Sequence, residues 1–209
     1  MCEINIDDLK TGDLLLFDYE NYFGMGLFFY FIKKYTDSKY SHIGMIVKDP
    51  EFTDKPIPKG YYLWHSDWTG YQDPQDGKKK FGVQLTHLDE IIDYYKRNKS
   101  HIYVRKVHCN EKHFSNETLG KIHKVVYDKP YDINLKDWIQ AMDDKDSDPQ
   151  KIDCFWCSAL VGYIYTKSGL LSDETDWSVL KPCDFSSEYN DKLEFSKDCS
   201  LDSKEIKLF

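Results

Sequence analysis

Cys154 and Cys157 lie three residues apart in the segment IDCFWCSALVGYIYTKSGL, residues 152–170. A thiolate at such a place can be a nucleophile, C-x-x-C can be a dithiol redox pair, and two thiols are half of a zinc site. From Cys157, the residues Leu160, Val161, Ile164 and Tyr165 recur at helical spacing, which predicts an amphipathic helix with Cys157 in its first turn. There the unpaired N–H groups and the positive end of the helix dipole favour thiolate over thiol, so a lowered pKa is expected. The competing reading is a small buried hydrophobe. For zinc, neither Cys183 with Cys199 nor an H-x-x-x-H run supplies a second ligand pair. Against a redox role, Phe155 and Trp156 fill the motif, which comes late in the chain rather than after an early βαβ strand.

A nucleophilic cysteine needs a base, and histidine titrates in the right range. His42 opens an apolar strand after Ser41, and His65 interrupts another. On adjacent strands the two can face one site, one as base and one as its orienter, or they can be two satisfied sheet histidines. His108, His113 and His123 sit among polar or lysine-flanked residues and read as solvated, while His87 and His101 read as structural.

The elements that would position these groups are legible in outline. TGDLLLFDY (11–19), SHIGMIVK (41–48), YYLWHSD (61–67) and HIYVRKV (101–107) read as strands, the second and third pairing across a proline-containing loop. Residues 21–35 read as a helix. GVQLTHLDEIIDYYKRN couples a strand to a helix through a capping box of Thr86 and Asp89. Ser115 is expected to cap a helix that stops at Pro130. AMDDKDSDPQK reads as a loop, and KLEFSKD and SKEIKLF as terminal strands. The class is α+β with an antiparallel sheet, in a single domain over 1–209.

Composition narrows the function. The chain has 209 residues with 41% hydrophobic, 16% aromatic and 31% charged side chains, the profile of an ordered protein with one sizeable core. A formal charge of -8 argues against nucleic acid as a partner, because such proteins present a basic face to phosphate. The run KKK at 78–80 follows QDG and reads as a solvated loop. No secretory signal pattern opens the chain, and six cysteines (2, 109, 154, 157, 183, 199) show no disulfide-scaffold spacing, so a reducing, cytoplasmic compartment is expected. GMGLFFYFI (24–32) is about half the length of a membrane span. Its reading is a partly buried aromatic helix, with peripheral contact to lipid or an acyl chain as the alternative.

GDLLLF (12–17), YSHIGMIV (40–47), GVQLTHLDEII (82–92), KPYD (129–132), FWCSALVGYIY (155–165) and LKPCDF (180–185) together resemble the circularly permuted branch of the NlpC/P60 superfamily, which holds bacterial YiiX/YaeF-like proteins and related poxvirus proteins. The resemblance spans nearly the whole chain and implies a permuted papain-like fold, with the histidine strands preceding the cysteine helix. It implies Cys157 as nucleophile, His42 as general base and, at the position where many permuted members carry Glu, His65 as orienter. It makes the Cys157 N–H an oxyanion donor, Tyr40 a second donor, and Trp156 a neighbour of the site. The expected function is a cysteine hydrolase (amidase- or peptidase-like) or acyltransferase working through a thioester, with no metal or organic cofactor. The expected substrate is a peptide or lipid amide, ester or thioester, with Phe28 and Phe29 tilting it toward an acyl-bearing one. A cytoplasmic or virion-associated location follows. The alternatives are a dithiol redox protein using Cys154 and Cys157, and an inactive binding module of the same fold.

Overall fold

The computed structural model describes residues 4–20, 33–34, 36–132 and 151–208. The helix expected over 21–35, with Phe28 and Phe29, falls outside these residues except for Lys33 and Lys34, as does the loop expected over 141–151 except for Lys151.

Six strands form one antiparallel sheet: β1 (Leu14–Asp18), β2 (His42–Lys48), β3 (Tyr61–Asp67), β4 (Gly82–His87), β5 (His101–Arg105) and β8 (Ile206–Lys207), in the order β4-β3-β2-β1-β5-β8. β6 (Val107–His108) pairs separately with β7 (Ser200–Leu201). Among the described residues the α-helices are α1 (Leu88–Arg97), α2 (Asn116–Val126) and α3 (Cys157–Lys167). The strands expected at 11–19, 41–48, 61–67 and 101–107 are all present, and β2 pairs with β3 as expected.

β1 lies between β2 and β5 and is buried on both faces, so LLLF is a continuous apolar run rather than an alternating one. Leu15 and Phe17 project to the side where α1 contributes Leu88, Ile91, Ile92 and Tyr95. Leu14 and Leu16, with Ile43, Met45, Tyr62 and Trp64 of the neighbouring strands, project to the side covered by α2 and α3. The molecule is therefore layered helix, sheet, helix, and residues of β2 and β3 choose their layer by parity. His42, Ile46, Leu63, His65 and Asp67 share the α1 side.

Several local expectations give way to tertiary partners. Thr86 is not a helix cap: β4 runs on to His87, which is the N-cap, and the Thr86 hydroxyl bonds His65 instead. Ser115 does cap α2, accepting from the Thr118 N–H at 3.2 Å, but the helix ends at Val126 rather than at Pro130. Only Lys78 of the KKK run is a solvated side chain among those with ion pairs. Lys80 is buried, with Asp73 and Asp76 at 3.0 Å and Asp128 at 3.4 Å. The terminal strands are the short β7 and β8, and KLEFSKD contributes only a bridge between Leu171 and Phe195.

α3 is buried from Cys157 through Thr166, so it is not amphipathic but a helix enclosed on all sides. The sheet lies against one side, and the segment holding Trp177 and Leu180 covers another. At Gly162 an added Cβ would sit 2.7 Å from Leu180 and 3.0 Å from Trp177, which is why a glycine serves there. Burial of Leu160, Val161 and Ile164 stabilises this seat by about 1.5–3 kcal/mol each.

Candidate active site

The segment leading into α3 is stitched to the end of the sheet. Phe155 donates its N–H to Pro130 O at 3.0 Å, and its carbonyl accepts the Ser66 hydroxyl at 2.6 Å and the Asp132 N–H at 3.4 Å. Residues 129–131 in turn lie along β4, where the Lys129 carbonyl accepts the Val83 N–H and the Tyr131 N–H reaches Phe81 O. Gly82 permits this approach, since a Cβ there would meet Lys129 O at 2.3 Å. The Phe155 ring is fully buried against Tyr163 and Trp177. With Phe155 fixed, α3 begins two residues later, and Cys157 is delivered to the sheet end where β2 starts and β3 finishes.

Cys157 is the first residue of α3, as expected, and the backbone N–H groups of Ile43, Ser158 and Cys157 lie near its sulfur and favour its thiolate. Ile43 directly follows His42. The His42 ring carries Nε2 to 3.2 Å from His65 Nδ1 and 3.6 Å from the Asp67 carboxylate, and His65 Nε2 lies 3.0 Å from the Thr86 hydroxyl. The β2–β3 register, which pairs Met45 with Trp64 and Ile46 with Leu63, continues to set His42 across from Asp67. Phe17, opposite His42 on β1, packs its ring 5.2 Å from the imidazole. The structure thus places His42 and His65 side by side, with Cys157 at the backbone next to His42.

The electrostatics differ from the sequence expectation in one respect. Cys157 is 3% exposed, and burial pushes its thiol up to about 12; the three N–H donors pull the other way, while the Asp67 charge raises it further. A helix start alone would favour thiolate, but loss of water outweighs it here. Burial also lowers His42, partly countered by Asp67, and holds His65 well below the ordinary histidine range, helped by the His42 charge. The resting pair is a neutral thiol and a neutral imidazole.

Tyr95 and Tyr131 border the same place: their hydroxyls are raised by burial and then by Asp67 and Cys157. Tyr131 stacks on Phe81 at 4.9 Å, and Phe81 meets Trp68 edge-on, so an exposed aromatic ledge begins one residue after Asp67. Tyr40, expected as a donor, packs at 5.5 Å on Tyr103 under the Lys39 ammonium, with Glu205 and Glu188 as its charged neighbours. Trp156 is the N-cap of α3 and donates Nε1–H to Leu180 O at 3.3 Å, beside the cysteine. Cys154 is half-buried and, like Cys157, not in a disulfide. His123, read as solvated, is buried on α2 with Nε2 2.5 Å from Gln75. His113, read the same way, is half-buried between Ser168 and Cys199.

Asp67 is the site residue that sequence reading missed. Its signal was the strand register: writing β2 against β3 in antiparallel alignment puts it opposite His42. One ligand atom each from His42, His65 and Asp67 lie within 4.8 Å of one another; His42 hydrogen-bonds His65 and faces the Asp67 carboxylate as an ion-pair partner, and the three have the donor set to hold a divalent ion. No protein-family model matches the chain, and no curated protein matches it either. What stands is an α+β protein with a six-strand antiparallel sheet whose end gathers a cysteine, two histidines and an aspartate.

Proposed function

We propose that the chain is a cysteine-dependent hydrolase or acyltransferase of the permuted papain-like NlpC/P60 type. The observation that carries this reading is the approach of Cys157 to the Ile43 N–H, one residue along the strand from His42, whose Nε2 faces His65 and Asp67. Cys157 Sγ attacks a carbonyl carbon while its proton passes to His42. Nε2 of His42 faces His65 and Asp67, so the proton exchange falls to Nδ1. The developing oxyanion takes N–H groups at the start of α3, which point free donors toward negative charge. Collapse expels an amine, alcohol or thiol that recovers the proton from His42 and leaves a thioester on Cys157. Water or another acceptor, deprotonated by His42, then releases the acyl group.

Because thiol and imidazole are both neutral at rest, the sulfur is activated by proton transfer during attack rather than by a standing ion pair. Asp67 stabilises the imidazolium formed at that moment, and His65, pinned by Thr86, sets the ring's orientation. The ledge of Trp68 and Phe81, backed by the buried Tyr131 ring, suits an apolar or acyl-bearing substrate, and replaces the Phe28–Phe29 segment as the described surface on which that choice rests. One observation favours a second reading: a thiol buried and pushed up to about 12 is the setting of a structural cysteine, as in an inactive binding module.

A panel of amide, ester and thioester acyl donors separates the two. Turnover in the wild-type protein that disappears in Cys157→Ala supports the enzyme, whereas turnover that survives the substitution, or none across the panel, sinks it.

A further inference from the structure

At the far end of α3 from Cys157, about 16 Å away by the 1.5 Å rise of an 11-residue helix, three ligand-bearing side chains converge. His113 Nε2 lies 3.7 Å from Cys199 Sγ and 3.5 Å from Asp198 Oδ2, and Cys199 Sγ lies 3.8 Å from Asp198 Oδ1. One ligand atom from each lies within 4.8 Å of the others. Cys109 is a neighbouring thiol whose titration is linked to that of Cys199, but it lies outside this trio. We infer that His113, Asp198 and Cys199 are the three protein ligands of a site for a zinc-like divalent ion, the fourth position facing solvent beside the exposed Asp198.

The spacing fits. Tetrahedral zinc with bonds of about 2.0–2.1 Å to nitrogen and about 2.3 Å to sulfur holds neighbouring ligand atoms roughly 3.3–3.8 Å apart. Orientation fits as well. His113 Nδ1 is 2.7 Å from the Ser168 carbonyl, which can only accept, so Nδ1 carries the hydrogen. In the neutral ring the Nε2 lone pair then points at Cys199 and Asp198, the arrangement by which a backbone carbonyl fixes the tautomer of a ligating histidine. Sulfur, imidazole and carboxylate donors together select zinc over magnesium or calcium. Asp198 is largely exposed, which leaves a route in from solvent.

The placement gives the ion a task. His113 lies in the 3-10 turn Glu111–Phe114 that follows β6, while Asp198 and Cys199 immediately precede β7. β6 and β7 are joined by just two residue pairs, Val107 with Leu201 and His108 with Ser200. A metal here would clamp the C-terminal segment to the flank of the sheet, across a long stretch of chain, where loop closure gains most. Ser168 is the C-cap of α3, so the clamp also braces the helix that carries Cys157.

The experiment uses the full chain, reduced and stripped of metal, titrated with Co2+ and then Zn2+. The inference expects one equivalent of Co2+ with a thiolate charge-transfer band and tetrahedral visible bands, displaced by Zn2+, together with a zinc-dependent rise in the thermal midpoint. Cys199→Ser should abolish the band and Cys154→Ser should leave it. Asp198→Asn, an exposed change that keeps the fold, should weaken Co2+ binding by roughly tenfold or more. Absence of a thiolate band in the wild-type protein overturns the site in favour of a plain His113–Asp198 ion pair. A band that survives Cys199→Ser but is lost in Cys154→Ser overturns it in favour of the C-x-x-C pair.

Discussion

Replacing Asp67 by Asn should move two readouts of the same cysteine in opposite directions. The Asp67 carboxylate is 3.6 Å from His42 Nε2. In an effective dielectric of about 20, unit charges at that separation attract by about 4–5 kcal/mol once His42 becomes imidazolium. Desolvation of the carboxylate offsets roughly half, leaving about 2 kcal/mol of differential stabilisation, or about 30-fold in rate. Acyl transfer from an activated ester such as p-nitrophenyl acetate should therefore slow by about that factor in Asp67→Asn. The acid limb of its pH–rate profile should shift to lower pH, because burial already depresses His42 and Asp67 is what pulls it back up. Simple alkylation of Cys157 by iodoacetamide at a fixed alkaline pH should instead accelerate. The Asp67 charge adds to burial in raising the thiol, so its removal lowers the thiol pKa and exposes more thiolate. Alkylation and acylation changing together, or an acid limb moving upward, would refute the assignment of Asp67 to His42.

Three further outcomes follow from the surrounding structure. Thr86→Val removes the 3.0 Å partner of His65 Nε2 and leaves a buried nitrogen unpaired, a loss of about 1–3 kcal/mol in urea unfolding; wild-type stability would contradict it. Lys80→Ala strands the fully buried Asp73 carboxylate and should cost about 3–5 kcal/mol, read from the same titration, with a change near zero as the contrary result. Stability should be complete above pH about 6.5 and fall below it, by up to about 1.4 kcal/mol per pH unit for each of His42 and His65. Both are depressed by burial in the folded chain, so the unfolded chain takes up protons that the folded one refuses. Denaturation midpoints that stay flat from pH 7.5 to 5 would count against the buried neutral pair.

Where a residue's role is set by its own strand or helix, the sequence was readable. β2 follows from its apolar run, β3 from alternation and the coupling of β4 to α1 from helical spacing, and adjacent strands leave His42 and His65 able to face one site, which the structure then shows. Roles set by distant chain were hidden. Thr86 carries a local capping pattern, yet its hydroxyl answers to His65 on the next strand. Lys80 looks solvated beside Lys78 and Lys79, but Asp73, Asp76 and Asp128 fold around it. The helix dipole argued for a lowered Cys157 thiol, and only the depth of the site shows that desolvation outweighs it. His123 is a different case: it falls on the spacing of Leu119, Ile122 and Val126, so the buried face of α2 was there to be read.

The central claim is that Cys157 carries the acyl group and His42 takes its proton. Intact-mass and peptide mapping after brief exposure to an activated ester tests both at once. The account predicts one acyl adduct, on Cys157, labile to hydroxylamine as a thioester is, and formed far more slowly in His42→Ala. Acylation spread over Cys154, Cys109 and other thiols, indifferent to His42, would contradict it.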